Sequence, residues 1–287
     1  MAATHGGYYL PHGSHWPITG SIALFILAVG TASYFQGAGW GPWAMLLGFA
    51  ILIFMMFGWL GTVISESVAG AYNEQVDRSF RWGMSWFIFS EVMFFAAFFG
   101  ALYYARVLSV PWLGGVDVET NKLLWDGLSL NWPTAGPGHA DFEFEYMPAW
   151  PIPTINTILL LTSGVTITIA HHALKAADRE KLVKWMWATV GLGATFLMFQ
   201  AYEFYEAWHH MNLTMHTGVY GSTFFMLTGF HGFHVTIGTI MLIVITLRCM
   251  KGHFTPENHF GFEGVAWYWH FVDVVWLGLF IFVYVLI

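Results

Sequence analysis

Hydrophobic residues along the chain are collected into seven long runs, which polar or proline-containing segments separate. A helix needs about 20 apolar residues to cross the hydrocarbon core of a bilayer, and each run meets or approaches that length. All ten prolines lie outside the runs or at their edges, as expected for helices, because an interior proline removes a hydrogen bond and clashes with the preceding turn. The pattern predicts seven transmembrane helices, at about residues 18–35, 43–64, 80–108, 152–173, 185–205, 219–247 and 265–287.

The composition supports an all-α polytopic membrane protein. Of the 287 residues, 57% are hydrophobic and only 9% are charged, whereas ordinary soluble domains carry roughly 25% charged residues. The ten basic residues are too few for a nucleic-acid surface. Cys249 is the one cysteine, which excludes an internal disulfide framework and a cysteine-based zinc or iron–sulfur site.

The distribution of Lys and Arg predicts the orientation. Under the positive-inside rule, the side with more basic residues faces the cytoplasm. Two basic residues, Arg106 and Lys122, lie on one side, and eight share the side of the N-terminus: Arg78, Arg81, Lys175, Arg179, Lys181, Lys184, Arg248 and Lys251. The N-terminus is therefore predicted inside and the C-terminus outside. The first 15 residues lack the Lys or Arg that begins a signal or transit peptide.

This topology predicts three regions and one long loop. Residues 1–17 form an N-terminal segment on the cytoplasmic side, 18–66 form helices 1–2, and 67–287 form helices 3–7. The outer loop, at about 109–151, is acidic: Lys122 is its one basic residue, and its acidic residues are Asp117, Glu119, Asp126, Asp141, Glu143 and Glu145. Such a surface can attract a basic partner. A solvated loop with no partner is the alternative.

The third apolar run contains a carboxylate, which indicates a functional or structural role, because a charged group in hydrocarbon costs at least a few kcal/mol. Glu91 lies roughly 16 Å into that run at about 1.5 Å per helical residue. It is either a proton-exchanging, reactive acid or a protonated hydrogen-bonding contact between helices. The sequence alone leaves both interpretations open.

Histidines within the spans allow a metal interpretation. His231 and His234 are three residues apart and share a helix face, and His270 and Asp273 repeat that spacing. Glu203, Glu206 and His209 form a similar series, and His171 and His172 close the fourth span. Di-iron bundles need two Glu-x-x-His pairs in their core, however, and this chain has one, at a span end. Buried structural pairs are therefore favoured for His231, His234, His270 and Asp273.

Basic and aromatic residues at the inner ends of two spans suggest a lipid site. A guanidinium and an ammonium beside a tryptophan at headgroup depth can hold a lipid phosphate. The residues concerned are Trp59, Glu66, Arg248 and Lys251. Ordinary positive-inside charge is the alternative interpretation.

Several motifs, in order along the chain, resemble subunit III of cytochrome c oxidase. The longest is residues 260–276, FGFEGVAWYWHFVDVVW, and the others include IFSEVMFF at 88–95, GVYGSTFF at 218–225 and TGFHGFHV at 228–235. Shorter matches are Asn156-Thr157, Ser163-Gly164-Val165, Ala170-His171-His172 and Gln200-Ala201-Tyr202-Glu203. The resemblance runs from about Pro42 to the C-terminus. Many relatives have a tryptophan where Leu60 stands.

The resemblance implies seven helices, two (1–2) packed apart from five (3–7) around a lipid-filled cleft. It implies an accessory subunit of an oxygen-reducing, proton-pumping oxidase, with no redox cofactor or metal of its own. Haem and copper belong to partner subunits, and subunit I, the main contact, gains support for proton uptake and stability. Glu91 matches the family's carbodiimide-reactive carboxylate, while Trp59, Glu66, Arg248 and Lys251 match positions of a phospholipid headgroup site.

Further implied partners are subunit II and, through the outer loop, cytochrome c or another respiratory complex. The two first helices favour the cytochrome c type over the quinol type. The N-terminal extension and the long loop favour a bacterial inner membrane over a mitochondrial one. Two other functions compete with this interpretation. One is a membrane oxidoreductase whose haem or di-iron centre is bound by His231, His234, His270 and Glu206, and the other is a proton-coupled transporter that uses Glu91. Transporters often carry internal repeats and broken helices, and neither is visible here.

Overall fold

The computed structural model describes residues 13–139 and 142–287, and within these ranges the chain is α-helical without strands. Seven of its helices are long and apolar enough to cross a membrane, which confirms the predicted number. Most of the predicted N-terminal segment and Asp141 of the loop lie outside the described residues. The helices are α1 (Trp16–Phe35), α2 (Gly41–Val68), α3 (Glu74–Tyr103), α4 (Val118–Leu124), α5 (Ile152–Lys175), α6 (Arg179–His209), α7 (Gly218–Met250) and α8 (Phe260–Leu279).

Several helices extend beyond the apolar runs that predicted them, because polar side chains cap their first turns. The Asp178 carboxylate accepts a hydrogen bond from the Lys181 amide (3.0 Å), so α6 begins at Arg179 rather than near 185. The Asn73 side-chain oxygen accepts one from the Val76 amide (3.0 Å) at the beginning of α3. Such caps satisfy amide groups that have no partner within the helix. Hydropathy marks the membrane segment and misses these polar extensions.

The structure divides into two compact units, one ending at Phe80 and the other beginning at Arg81. In the first, α1 and α2 pack through glycines. A Cβ on Gly48 would lie 2.8 Å from the Leu27 amide nitrogen, and one on Gly30 would lie 2.7 Å from that of Met45. Small residues of this kind let helix backbones approach closely in membranes. At one end of the pair, the Trp16 indole donates a hydrogen bond to the Thr62 hydroxyl (3.1 Å).

The second unit has a core of large aromatic side chains around α8. Trp269 and Trp276 are fully buried, and each indole N–H has a hydroxyl acceptor on α5. Trp269 donates to Ser163 (2.8 Å) and Trp276 donates to Thr157 (2.9 Å). A buried indole N–H needs such an acceptor, because an unpaired donor in an apolar interior is costly. The two bonds therefore fix the register between α5 and α8.

The predicted loop at 109–151 contains more regular structure than expected. Helical backbone continues beyond α3 in wide turns at Tyr104–Ser109 and Trp112–Val116, and α4 follows. Farther along, the backbone carbonyls of Thr134 and Ala135 accept hydrogen bonds from the amides of Tyr220 and Val219 at the beginning of α7 (3.2 Å each). These contacts hold the loop against the end of the second unit, so it is a folded part of that unit.

Candidate functional site

Glu91, the intramembrane carboxylate, lies in the middle of α3 and pairs with His234 of α7. The Glu91 Oε2 and His234 Nε2 atoms are 2.9 Å apart, and both side chains are mostly buried. The other ring nitrogen, Nδ1, lies 2.6 Å from the backbone carbonyl of Phe230, one turn earlier on α7. One ring nitrogen of His234 is therefore directed at the backbone of its own helix, and the other is directed at α3.

This arrangement restricts where the protons can be. A carbonyl only accepts hydrogen bonds, so Nδ1 must carry a hydrogen. The Nε2–Oε2 bond then holds one proton, either on the carboxyl group beside a neutral imidazole or on the imidazole beside a carboxylate. The pair has no net charge in either form, which avoids the cost of an isolated charge in hydrocarbon. The geometry therefore shows a carboxyl group and an imidazole joined by one hydrogen bond inside the bundle.

Aromatic rings surround this pair within the second unit. The Phe95 ring centroid lies 5.0 Å from that of His234, and Phe94 and Phe271 lie 6.0 and 6.3 Å away. The Tyr268 ring stacks at 6.4 Å, and its hydroxyl donates to the His234 carbonyl (3.4 Å). Such an apolar shell strengthens hydrogen bonds, because little water competes with them. The glutamate side chain, 23% exposed, retains an edge at the surface of the chain.

The other two histidines that the sequence suggested as metal ligands, His231 and His270, contact different neighbours. His231 is fully buried between Trp276, on which it stacks at 5.2 Å, and Phe196 at 5.8 Å. His270 is about half exposed, and its Nε2 lies 3.4 Å from the Thr168 hydroxyl. Among the described residues, no three-ligand cluster includes His231, His234, His270 or Glu206. Three residues of spacing put His231 and His234 on one face, but their rings face different neighbours.

Asp273 is buried beneath a glycine of α5. Its carboxylate lies 3.8 Å from His270 Nδ1 (Oδ2), too far for a close pair. A Cβ on Gly164 would lie 2.6 Å from that same oxygen. Glycine at 164 is therefore what admits the carboxylate between α5 and α8, and the expected His270–Asp273 pair is loose.

A second buried acid, Glu203 on α6, has a partner that sequence reasoning missed. Its carboxylate accepts a hydrogen bond from the Tyr284 hydroxyl, near the end of the chain, and both side chains are buried. Gln200, one turn earlier on α6, is also buried. The three-residue spacing of Gln200 and Glu203 could have indicated a shared polar face. The contribution of Tyr284 depends on how the terminal segment packs, which no local pattern reveals.

The four predicted lipid-binding residues are divided between the units. In the first unit, Trp59 is about half exposed, and the Glu66 carboxylate accepts a hydrogen bond from the Tyr72 hydroxyl (2.7 Å). In the second unit, the Arg248 guanidinium lies over the Phe254 ring, 4.4 Å from its centroid. Lys251 follows directly after α7 and is exposed. Cationic side chains therefore lie at and just beyond the end of α7 in the second unit, whereas the carboxylate of the first unit is engaged by a tyrosine.

The fold and this pair define a class: an all-helical, multi-pass membrane protein with a hydrogen-bonded carboxyl group inside its bundle. The chain matches the family described as cytochrome c oxidase subunit III over residues 6–121 and 127–286, and it belongs to that family. It is therefore an accessory subunit of cytochrome c oxidase, a terminal oxidase. The resemblance noted in the sequence is confirmed.

Individual relatives agree over nearly the full length. The chain is 40% identical to cytochrome c oxidase subunit 3 of Arabidopsis thaliana over 278 residues, which cover 96% of this chain and 95% of the relative. Identity to the protein of the same name from Oncorhynchus mykiss is 41% over 285 residues, or 99% and 98% of the two chains. For Equus asinus it is 40% over 282 residues, or 98% and 97%.

Proposed function

We propose that this subunit supports proton uptake and stability of subunit I through the Glu91–His234 pair, and that it carries no redox centre of its own. The observation that carries the proposal is the 2.9 Å hydrogen bond between these side chains in an aromatic shell. Because the resting pair has no net charge, it is tolerated at membrane depth, and it can relay a proton without becoming charged when one proton enters the pair as another leaves it. His231 packs against aromatic rings, and His270 lies beside the Thr168 hydroxyl.

The test replaces Glu91 by Gln, which retains the shape and a hydrogen-bonding amide but cannot take up the proton. We expect carbodiimide labelling of this chain to be abolished, initial oxygen consumption to stay largely intact, and activity to be lost sooner during turnover. Glu180→Gln, at an exposed position in the first turn of α6, is the matched control. Near-complete loss of initial oxygen consumption would argue against a supporting role, and an unchanged turnover lifetime would argue against Glu91.

Phospholipid headgroup contacts form the second part of the proposal: Trp59 and Glu66 make them in the first unit, and Arg248 and Lys251 form a headgroup site in the second. It is supported by the cation held over Phe254 and by the exposed ammonium three residues later. Arg248→Ala should reduce the phospholipid that is purified with the oxidase and hasten its inactivation. Lys184→Ala, a basic residue on another helix, should retain the lipid. Equal phospholipid in all three preparations contradicts the headgroup site.

The remaining features of the proposal concern arrangement in the membrane. The N-terminus lies inside and the C-terminus outside. Subunit I is the main contact, and subunit II and cytochrome c, through the acidic loop, are further partners. The membrane is the bacterial inner membrane, or the mitochondrial inner membrane as the alternative. Labelling of Lys122 from one side and Lys184 from the other in sealed vesicles tests the orientation.

A further inference from the structure

Two histidines and a glutamate from separate parts of the second unit meet at one end of its bundle. His171 lies just before the last turn of α5, His259 directly precedes α8, and Glu263 lies in the first turn of α8. Their nearest atoms form a nearly equilateral triangle. His171 Nε2 lies 3.3 Å from His259 Nε2 and 3.4 Å from Glu263 Oε1, and the last two atoms are 3.3 Å apart.

This triangle has the dimensions of one face of a tetrahedral zinc site. Zinc binds imidazole nitrogen and carboxylate oxygen at about 2.0–2.1 Å, so neighbouring ligands in a tetrahedron lie about 3.3–3.4 Å apart. Two imidazoles and one carboxylate with an open fourth position are a common zinc ligand set. We propose that His171, His259 and Glu263 form a site for Zn²⁺ or a similar divalent cation, with a water molecule as the fourth ligand.

Neighbouring groups hold two of the three ligands in the orientation that a metal requires. His259 Nδ1 lies 3.1 Å from the Thr255 carbonyl, to which it must donate, so Nε2 of the neutral ring directs its lone pair at the triangle. The Arg81 guanidinium donates to Glu263 Oε2, which leaves Oε1 directed at the imidazoles. Arg81 itself lies over the Phe260 ring, 5.5 Å from its centroid. Hydrogen bonds of this kind to the outer atoms of ligands are typical of metal sites.

A proton is the competitor for the same place. With His259 Nε2 unprotonated, a hydrogen on His171 Nε2 could bridge to either neighbour and satisfy all three groups without a metal. The positive charges of Arg81 and of Lys175, four residues after His171, also oppose a dication. We therefore expect an ion that exchanges with the solution rather than a permanently bound cofactor. An occupied site ties the end of α5 to the beginning of α8.

The test measures zinc in the intact oxidase, purified through a tag without histidine, stripped with a chelator and reloaded with Zn²⁺. His171→Gln removes one ligand at a partly exposed position, and His172→Gln, at the exposed neighbouring position, is the matched control. Loss of a group that merely orients a ligand weakens metal binding roughly 10–100-fold, so loss of the ligand itself should weaken it at least about 100-fold. The parent and His172→Gln should each bind one more zinc per complex than His171→Gln.

Equal zinc content and affinity in the parent and His171→Gln would overturn the proposal and leave the hydrogen-bonded cluster. Where His171→Gln does not assemble, crystals of the parent oxidase soaked in Zn²⁺ decide. A zinc-edge anomalous peak within coordination distance of the three side chains supports the site. The absence of such a peak refutes it. Both readouts are independent of oxygen consumption and of the Glu91–His234 pair.

Discussion

The two units of this chain solve the packing problem in the membrane by different means. Over an apolar stretch of 18 residues in the α8 span, 56% of residues are buried, whereas the figure for such a stretch of α2 is 6%. The second unit encloses large aromatic rings and satisfies their polar atoms internally, but α1 and α2 touch through glycines and turn most side chains outward. Hydropathy is similar in both, so hydrophobicity alone does not distinguish a core helix from one that lipid or another subunit must cover. The two units differ in the residues that make their helix contacts: large aromatic rings with hydrogen-bonded polar atoms in the second unit and glycines in the first.

Deleting a buried indole should give the largest loss of stability and should distinguish the packing of the two units most clearly. Trp276→Ala removes a fully buried ring and leaves Thr157 without its donor. Such changes cost about 3–5 kcal/mol in protein cores, so we expect a large decrease in the temperature at which this chain dissociates or unfolds in mild detergent. The control is Trp43→Ala in α2, whose side chain is 73% exposed. Equal destabilisation by both variants would contradict the comparison.

An added methyl group should affect the first unit next most strongly. Gly48→Ala places a Cβ against the Leu27 and Ala23 backbone atoms, the nearest at 2.8 Å, so α1 and α2 must separate. Overpacking of this kind costs typically about 1–3 kcal/mol. Gly61→Ala on the same helix meets nothing within 4 Å and should be neutral or slightly stabilising. Cysteine cross-linking between α1 and α2 reports the change, and efficient cross-linking in Gly48→Ala would argue against glycine-mediated packing.

Sequence patterns predicted the helices well and the partners poorly. Seven apolar runs gave seven spanning helices, because the bilayer imposes a length that composition alone satisfies. Glu91 stood out because a charged group in the hydrocarbon of a bilayer is costly. Its partner His234 is 143 residues away in the chain, however, and the Trp269–Ser163 and Tyr284–Glu203 bonds are also long-range. Local spacing reports which face a residue occupies but not which helix faces it.

The His171, His259 and Glu263 cluster shows the same limit from another side. His171 was noted only as the end of a span, and His259 lies in a connection that no periodic pattern covers. Glu263 follows His259 by four residues, so a shared face was predictable for that pair. The approach of α5 to this turn supplied the third ligand. The ligands considered from the sequence were His231, His234, His270 and Glu206, whereas the fold brings His171, His259 and Glu263 together at one end of the bundle.

A double-mutant cycle should give a smaller effect that sharpens the account of the second unit. Ser163→Ala leaves the Trp269 indole without its acceptor, and Trp269→Phe removes the donor. Hydrogen bonds between membrane helices average roughly 0.6 kcal/mol in such cycles, so we expect a coupling of about that size, measured as unfolding free energy in detergent. The exposed pair Trp43→Phe and Ser65→Ala in the first unit supplies the control. A coupling of zero would show that ring packing alone fixes the α5–α8 register.

The smallest expected effect is confined to the loop at 109–151 and depends on pH. Hydrogen bonds from the Thr120 and Trp112 side chains lower the pKa of Asp117 below its ordinary value of 3.8. Because the pKa in the folded loop is below that in the unfolded loop, the carboxylate stabilises the beginning of α4 above the ordinary value. This stabilisation is lost as pH falls through the lowered pKa.

Cleavage by pepsin within α4 provides the measurement, with each rate divided by that of Asp117→Asn at the same pH to remove the enzyme's own pH profile. Asparagine can accept the same hydrogen bonds but does not titrate. We expect the parent to be cleaved more slowly than Asp117→Asn at the upper end of the acid range, and the two rates to converge only below pH 3.8. A pH-independent ratio would show that the acidic loop is held by its contacts with α7 rather than by its own cap.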